Sequence, residues 1–121
     1  KKNSFGWAIA MTSDGLAVAV ISPYTDFGGY YSGSVYFYMR YTSNDSFHPV
    51  GRGDGGCEEE QLGSKGITIE AKDNALFIHA KSDGNNCIDN NNNIRTFHVK
   101  CSCRNAAYSC VGFNNFPFVQ C

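Results

Sequence analysis

The sequence predicts an all-β fold made of two four-stranded antiparallel sheets. Three observations predict it. Charged residues are only 17% of the chain and aromatic residues 14%, with 13 glycines, and aromatic and β-branched side chains suit pleated surfaces. Short apolar runs of strand length alternate with turn signals, and no stretch has helical periodicity with caps. The same order of strands and turns occurs twice along the 121 residues.

The first half of the chain opens with two strands joined by a tight turn. The predicted strands of this half are Ala8–Met11, Leu16–Ile21, Ser34–Met39 and Phe47–Gly51. Asp14-Gly15 is the turn signal between the first two. The second strand is a continuous apolar run, which predicts burial on both of its faces. A Gly- and Tyr-rich loop from Pro23 to Gly33 follows it.

The second half repeats this order at an interval of about 60 residues. Its predicted strands are Ile67–Glu70, Leu76–His79, Ile94–Val99 and Tyr108–Gly112. Asp73-Asn74 matches the turn at Asp14-Gly15, and an Asn-rich loop precedes the third strand. We therefore expect a single β domain over 1–121, with repeats at about 5–51 and 62–112 and a C-terminal strand at 113–121.

The first repeat resembles the FG-GAP repeat, the propeller blade of integrin α-subunit heads and of many secreted proteins. The resemblance rests on Phe5-Gly6-Trp7, on the apolar strand that ends at Pro23, and on Gly33-Ser34-Val35-Tyr36. The second copy is more degenerate, with Leu62-Gly63 in place of Phe-Gly. The resemblance implies a propeller-like blade for each repeat. The calcium loop of some family members, between the first two strands, is absent because Thr12–Gly15 is too short for it.

Two blades pose a problem of burial. A propeller ring needs typically 4–8 blades, and a single blade cannot bury both of its faces. Either the two sheets close on each other as a sandwich, or copies of the chain supply the missing neighbours as rings or open filaments. The C-terminal segment, with Phe113, Phe116 and Phe118, either completes its own sheet or pairs with the edge of a neighbour. A third alternative is that the chain is a piece of a larger propeller.

The cysteines indicate an oxidising compartment. Their even number and their spacing, without paired C-x-x-C knuckles, favour disulfides over a zinc site. The predicted disulfide set is Cys57, Cys87, Cys101, Cys103, Cys110 and Cys121. The sequence does not choose among the 15 connectivities of six cysteines. We therefore expect a disulfide-stapled protein that is secreted, extracellular or on the cell surface.

An aromatic cluster in the Gly-rich loop is the predicted interface or ligand site. Tyrosine is enriched at protein interfaces, and exposed rings also suit stacking on sugars. Packing over the end of the sheet is the third explanation. The residues concerned are Tyr24, Phe27, Tyr30 and Tyr31.

The connection between the repeats is predicted to be flexible and solvated. Arg52-Gly53-Asp54 matches an integrin-recognition tripeptide, but its glycine-rich surroundings favour a simple linker. Glu58-Glu59-Glu60 is interpreted as an acidic turn in water, not as a catalytic pair of carboxylates.

Few other residues carry a chemical signal. Asn44-Asp45-Ser46 is a glycosylation sequon in a predicted loop. Asp83 and Asp89 lie in the Asn-rich loop and are a weak calcium candidate, since their spacing fits no known ligand pattern. No cofactor site is expected, and no combination of residues predicts an enzyme.

The charge balance excludes several partners. Lys+Arg is 10 and Asp+Glu is 11, for a net charge of −1, whereas a nucleic-acid binder needs a basic face. No apolar run approaches the ~20 residues of a membrane span.

The leading functional prediction is an extracellular structural protein that assembles with copies of itself into a filament, tube or ring. The alternative is a secreted carbohydrate-binding or adhesion module that acts as a monomer.

Overall fold

The computed structural model describes residues 4–40, 42–72, 75–82, 93–104, 107–111 and 114–115, and from 101 onward it describes the backbone. These residues form strands and turns, with no helix among them. The strands are β1 (Ala8–Met11), β2 (Ala17–Ser22), β3 (Ser34–Met39), β4 (His48–Asp54), β5 (Gly66–Lys72), β6 (Ala75–Lys81), β7 (Ile94–Arg104), β8 (Ala107–Val111) and β9 (Asn114–Asn115).

The strands form two antiparallel sheets. The first sheet has the order β1-β2-β3-β4-β9 and the second β5-β6-β7-β8. Each hairpin joins strands that follow each other in sequence, and only β9 returns from the end of the chain to pair with β4. The predictions of an all-β fold and of two antiparallel sheets are confirmed.

The two sheets share one core. From the first sheet, Ala19, Ile21, Val35 and Phe37 are completely buried. They pack with the side chains that the second sheet turns toward them, including Ile78, Ala80 and Val99. The strands lie in matching order, β1 against β5 and β4 against β8. The inner faces therefore cover each other, which is the sandwich arrangement that the sequence offered as one alternative.

The strand β2 is buried on both faces, as its apolar run predicts. All six of its residues are buried. Its inner side chains enter the shared core. Val18 and Val20 point the other way and are still only 8% and 6% exposed, because they lie between the side chains of β1 and β3 in the sheet.

The connection between the repeats is ordered, which corrects two expectations. Arg52-Gly53-Asp54 forms the end of β4 and pairs with β3, so it is not a flexible linker. Glu60 is not in water, since its side chain has no exposed surface. Its carboxylate accepts hydrogen bonds from Arg95 Nε and Nη2 at 2.7 and 2.8 Å. The amide of Gly56 donates to it at 2.7 Å.

The C-terminal segment is described only in part. Asn114 and Asn115 pair with Arg52 and Gly51 of the same chain, so this piece extends its own sheet. Phe113, Phe116 and Phe118 lie outside the described residues.

Candidate interaction surface

The first sheet carries an apolar surface on the side that faces away from the core. We call it the outer face and define it by Phe5, Ile9, Met11, Val18, Val20, Tyr36 and Tyr38. Cross-strand register builds it, since Ile9 pairs with Val20 and Val20 with Tyr36. Met11, Val18 and Tyr38 form the next row in the same way. Residues that pair directly across strands share a face, so the two rows lie side by side.

The outer face is exposed at Phe5 and along β1, whereas Val18 and Val20 in its centre are buried between their neighbours. Phe5, Ile9 and Met11 keep 58%, 61% and 52% of their surface. The Phe5 ring meets Tyr36 edge-on with centroids 5.3 Å apart, and Tyr38 at 6.4 Å. Partial burial raises the pKa of both tyrosines above the ordinary value. Large apolar side chains that remain in water on one continuous face mark an interaction surface.

The opposite surface of the molecule is polar. On the side of the second sheet that faces away from the core, Thr68 pairs with His79 and His79 with Thr96. His79 Nδ1 lies 2.9 Å from Thr96 Oγ1, and its Nε2 lies 3.5 Å from a Glu70 oxygen. Phe77 is the large apolar side chain here, and the ring of His98 stacks on it at 4.6 Å.

A second exposed aromatic group lies at the loop before β3. We call Trp7, Tyr24, Tyr30 and Tyr31 the aromatic loop cluster. Tyr24 meets Trp7 edge-on at 5.8 Å and Tyr31 at 5.1 Å. Tyr30 stacks on Tyr31 at 4.0 Å. Trp7 and Tyr30 keep 50% and 54% of their surface exposed. The structure thus brings together three of the four loop aromatics that the sequence singled out.

The loop is held by the connection between the repeats. The carbonyl oxygens of Tyr30, Tyr31, Ser32 and Gly33 each accept a backbone hydrogen bond from the segment 55–62. Within the loop, the Asp26 carboxylate accepts the Tyr31 amide at 2.9 Å. Tyr31 has a φ of 54°, which costs free energy that these bonds offset. The rings are therefore presented on a fixed backbone.

Tyr31 has the most perturbed phenol in the cluster. Its side-chain hydrogen bond with Tyr30 raises its pKa to about 12, and desolvation and neighbouring negative charge act in the same direction. The Tyr31 phenol therefore stays neutral over the physiological pH range.

The fourth predicted loop aromatic, Phe27, lies apart from the cluster. It is 57% exposed, and the guanidinium of Arg52 sits 3.5 Å from its ring centroid. Arg52 also pairs with Asp54, whose Oδ1 lies 2.9 Å from Nε. The tripeptide Arg52-Gly53-Asp54 thus has its two charges joined to each other on a strand. Arg52 lies opposite Tyr36 in the register, which connects Phe27 to the outer face.

A cavity opens between the sheets beside the turn that joins β1 and β2. It measures about 400 Å³, with Leu16, Met39 and Leu76 among its apolar walls and Asp14 and Arg40 at its polar part. Thr12 and the Leu16 amide donate to the Asp14 carboxylate, and these bonds lower its pKa. Arg40 Nε donates to the Gly15 carbonyl at 2.8 Å. These polar groups hold the turn.

The remaining predicted site residues have mixed outcomes. Asn44 is exposed in the turn between β3 and β4. Cys57 is disulfide-bonded. The backbone of Cys101 lies opposite that of Cys110. Cys87, Cys121, Asp83 and Asp89 lie outside the described residues. Among the described residues no three acidic, His or Cys side chains group into a metal site, and no helix is long and apolar enough to cross a membrane.

Sequence reasoning missed the outer face as a site. In the sequence analysis Phe5 and Trp7 were noted only as part of the Phe-Gly motif. Ile9 and Met11 were noted only as residues of a predicted strand. The signal was available, because Ala8–Met11 is apolar at every position and so has an apolar residue on both faces of a strand.

Comparison of the chain with protein-family models, with curated proteins and with solved structures found no match. The resemblance to FG-GAP repeats therefore rests on the residues quoted for it.

Proposed function

We propose that the chain is a secreted structural protein whose copies assemble through their exposed β-surfaces into a larger structure. The observation that carries this proposal is the outer face, with Phe5, Ile9 and Met11 each more than half exposed. Association that covers this face removes apolar surface from water, which is the dominant favourable term in most protein–protein association.

The arrangement of the sheets supports the same proposal. The two sheets pack face to face around one core, with β1 beside β5 and β4 beside β8, as neighbouring blades of a propeller do. In a propeller every blade is covered on both faces, whereas within the described part of the chain each sheet is covered on one. The resemblance of the first repeat to FG-GAP blades makes a second copy of the chain the natural cover for the outer face.

A polymer needs a second contact, and the aromatic loop cluster is our candidate for it. Trp7 and Tyr30 of this cluster are about half exposed, and hydrogen bonds hold the loop backbone. Rigid aromatic anchors are typical of interface centres. Phe27 with Arg52 extends this region. The aromatic residues Phe113, Phe116 and Phe118 of the C-terminal segment are further candidates.

Two features support an extracellular location. Cys57 is disulfide-bonded, and disulfides persist in oxidising compartments, so we propose that the other five cysteines complete a disulfide set. Asn44 is exposed in a turn, where a glycan would extend into water. We propose that Asn44 is glycosylated.

Electron microscopy of the native, unreduced protein tests this function, together with its mass by light scattering. We expect filaments, tubes or rings and a mass above the 13.3 kDa of one chain. A stable single chain at high concentration would contradict the proposal, and the alternative below would replace it.

The alternative is a carbohydrate-binding module, which the aromatic loop cluster favours. Trp7 and Tyr30 present half of their surface to water, and flat amphipathic rings bind partners with one apolar and one wet side. Binding of immobilised glycans by the single chain is the test. Tyr30→Ala should abolish binding, while Phe77→Ala on the other sheet should leave it unchanged.

A further inference from the structure

The two outward-facing surfaces of the molecule differ in chemistry, and this difference limits how copies can meet. The outer face of the first sheet is apolar along β1, β2 and β3. Arg52 of β4 continues one row opposite Tyr36, and its charge is paired with Asp54. The corresponding surface of the second sheet carries Thr68, Glu70, Lys72 and His79, among others. One surface is suited to burial and the other to water.

Head-to-tail stacking of blades would place unlike surfaces together. In that arrangement the outer face of one copy covers the second sheet of the next. The Glu70 side chain is 60% exposed, and one of its oxygens lies 3.5 Å from His79 Nε2. Its burial against Ile9 and Met11 would cost a large desolvation penalty, since a buried charge needs a partner.

We propose that two copies pair through their outer faces about a two-fold axis, so that apolar surface meets apolar surface. This inference rests on the proposed function and states its first step. A two-fold contact is isologous: both copies use the same surface, and a residue that meets a given position on the other copy is met by that position in return. The outer face therefore closes a dimer and does not by itself propagate a chain.

The area of the outer face fits the centre of such an interface. Aromatic side chains bury roughly 150–250 Å² each, and Ile and Met are somewhat smaller. The exposed halves of Phe5, Ile9 and Met11 therefore offer roughly 300 Å² together. Tyr36 and Tyr38 enlarge this patch at its side. A standard interface buries about 800 Å² per partner, with a polar rim around an apolar core. The aromatic and polar residues that surround the face supply such a rim.

The two-fold contact also sets the role of the other surfaces. If the outer face closes a dimer, any filament has the dimer as its unit. A second contact, at the aromatic loop cluster, would then join the dimers. The polar surface of the second sheet would face water in every assembly.

Site-specific photocrosslinking tests the pairing directly. A benzophenone amino acid is placed at position 9, or at position 68 as the matched control on the second sheet, and crosslinked peptides are identified by mass spectrometry. We expect position 9 to crosslink between copies to residues of β1–β3, and position 68 to give no crosslink between copies. Crosslinks from position 9 to β5–β7 would overturn the proposal in favour of head-to-tail stacking.

A substitution pair separates failure of this inference from failure of the proposed function. Ile9→Asp should weaken the dimer at least about 30-fold, the effect of losing an interface hot spot, whereas Thr68→Asp should leave it unchanged. If the wild type assembles and Ile9→Asp assembles equally well, the pairing is wrong and the proposed function stands. If the wild type remains a single chain, both fail. Circular dichroism confirms that each variant is folded.

Discussion

Glu60 joins the connection between the repeats to the second sheet. Its side chain has no exposed surface, and it receives two hydrogen bonds from Arg95 and one from Gly56. The carboxylate in turn raises the pKa of Arg95. A buried carboxylate with three charge-assisted or backbone donors is stable only while those donors remain. The residue thus fixes where the second repeat begins relative to the first.

Replacing this charge should destabilise the fold. We expect Glu60→Gln to lower the free energy of unfolding by about 3 kcal/mol, the lower end of the range for breaking a buried ion pair, because Arg95 keeps 29% of its side-chain surface in water. Urea unfolding measures this loss of stability. Glu70→Gln is the matched control, since Glu70 is exposed and its effect should stay below about 0.5 kcal/mol. Equal effects of the two substitutions would refute the role of Glu60.

Tyr31 should titrate late in alkali. Its pKa is about 12, against an ordinary value of 10.0, chiefly because of its hydrogen bond with Tyr30. A pKa that is raised in the folded state contributes stability below the unfolded value, and this contribution is lost as the pH rises through the folded value. We therefore expect stability to fall between pH 10.0 and about 12.

Ultraviolet titration of the phenols in the wild type and in Tyr30→Phe checks this expectation. The variant lacks the Tyr30 hydroxyl, so the highest phenol pKa should move back toward the ordinary value. Tyr24→Phe is the control, because Tyr24 makes only a minor contribution to the shift. An unchanged titration in Tyr30→Phe would show that another interaction holds the Tyr31 proton.

At the scale of the elements, the loop before β3 and the connection between the repeats form one unit. Four consecutive carbonyls of the loop, at residues 30–33, accept backbone hydrogen bonds from the segment 55–62. The two backbones approach so closely at Gly33 that an added Cβ would overlap the Leu62 backbone. This unit holds the aromatic loop cluster in place and connects the two sheets.

A pair of glycine substitutions measures how much this close approach matters. Gly33 and Gly6 have similar φ values, +84° and +92°, but a Cβ at Gly6 would meet no atom within 4 Å. Gly6→Ala should cost about 1–2 kcal/mol for the left-handed conformation alone. Gly33→Ala should cost about 2 kcal/mol more, because the Leu62 backbone must move. Thermal or urea unfolding gives both values, and equal costs would mean that the two segments separate easily.

The strands were predictable because their signals are local. Ala8–Met11 and Ser34–Met39 have the predicted bounds, since turn residues flank short apolar or aromatic runs. The extension of β4 through Asp54 was not predictable, because it depends on pairing with β3. Nor was the burial of Glu60, whose partner Arg95 lies 35 residues away. In both cases a long-range contact overrides the local composition.

The candidate surfaces were predictable to different degrees. The aromatic loop cluster was found because its tyrosines are close in sequence. Trp7 joins them only through the fold. The outer face depends on which side of each strand meets the second sheet, and an all-apolar strand such as β1 does not reveal that side in its sequence.

At the scale of the whole molecule, one sheet has a face with no apolar cover within the described part of the chain. The inner faces of the two sheets bury each other's apolar side chains. The outward surface of the second sheet is polar and suits contact with water. The outer face of the first sheet is an apolar surface of β-strands that the described part of the chain leaves exposed at Phe5, Ile9 and Met11. In the proposed function, this exposed face is the one that another copy covers.

Sedimentation equilibrium over a wide concentration range tests this claim most directly. The wild type should show a mass above 13.3 kDa that rises with concentration. The variant Ile9→Asp should shift this rise to higher concentration by at least about 30-fold, and Thr68→Asp should follow the wild type. A wild-type protein that keeps the mass of one chain at every concentration would contradict the account.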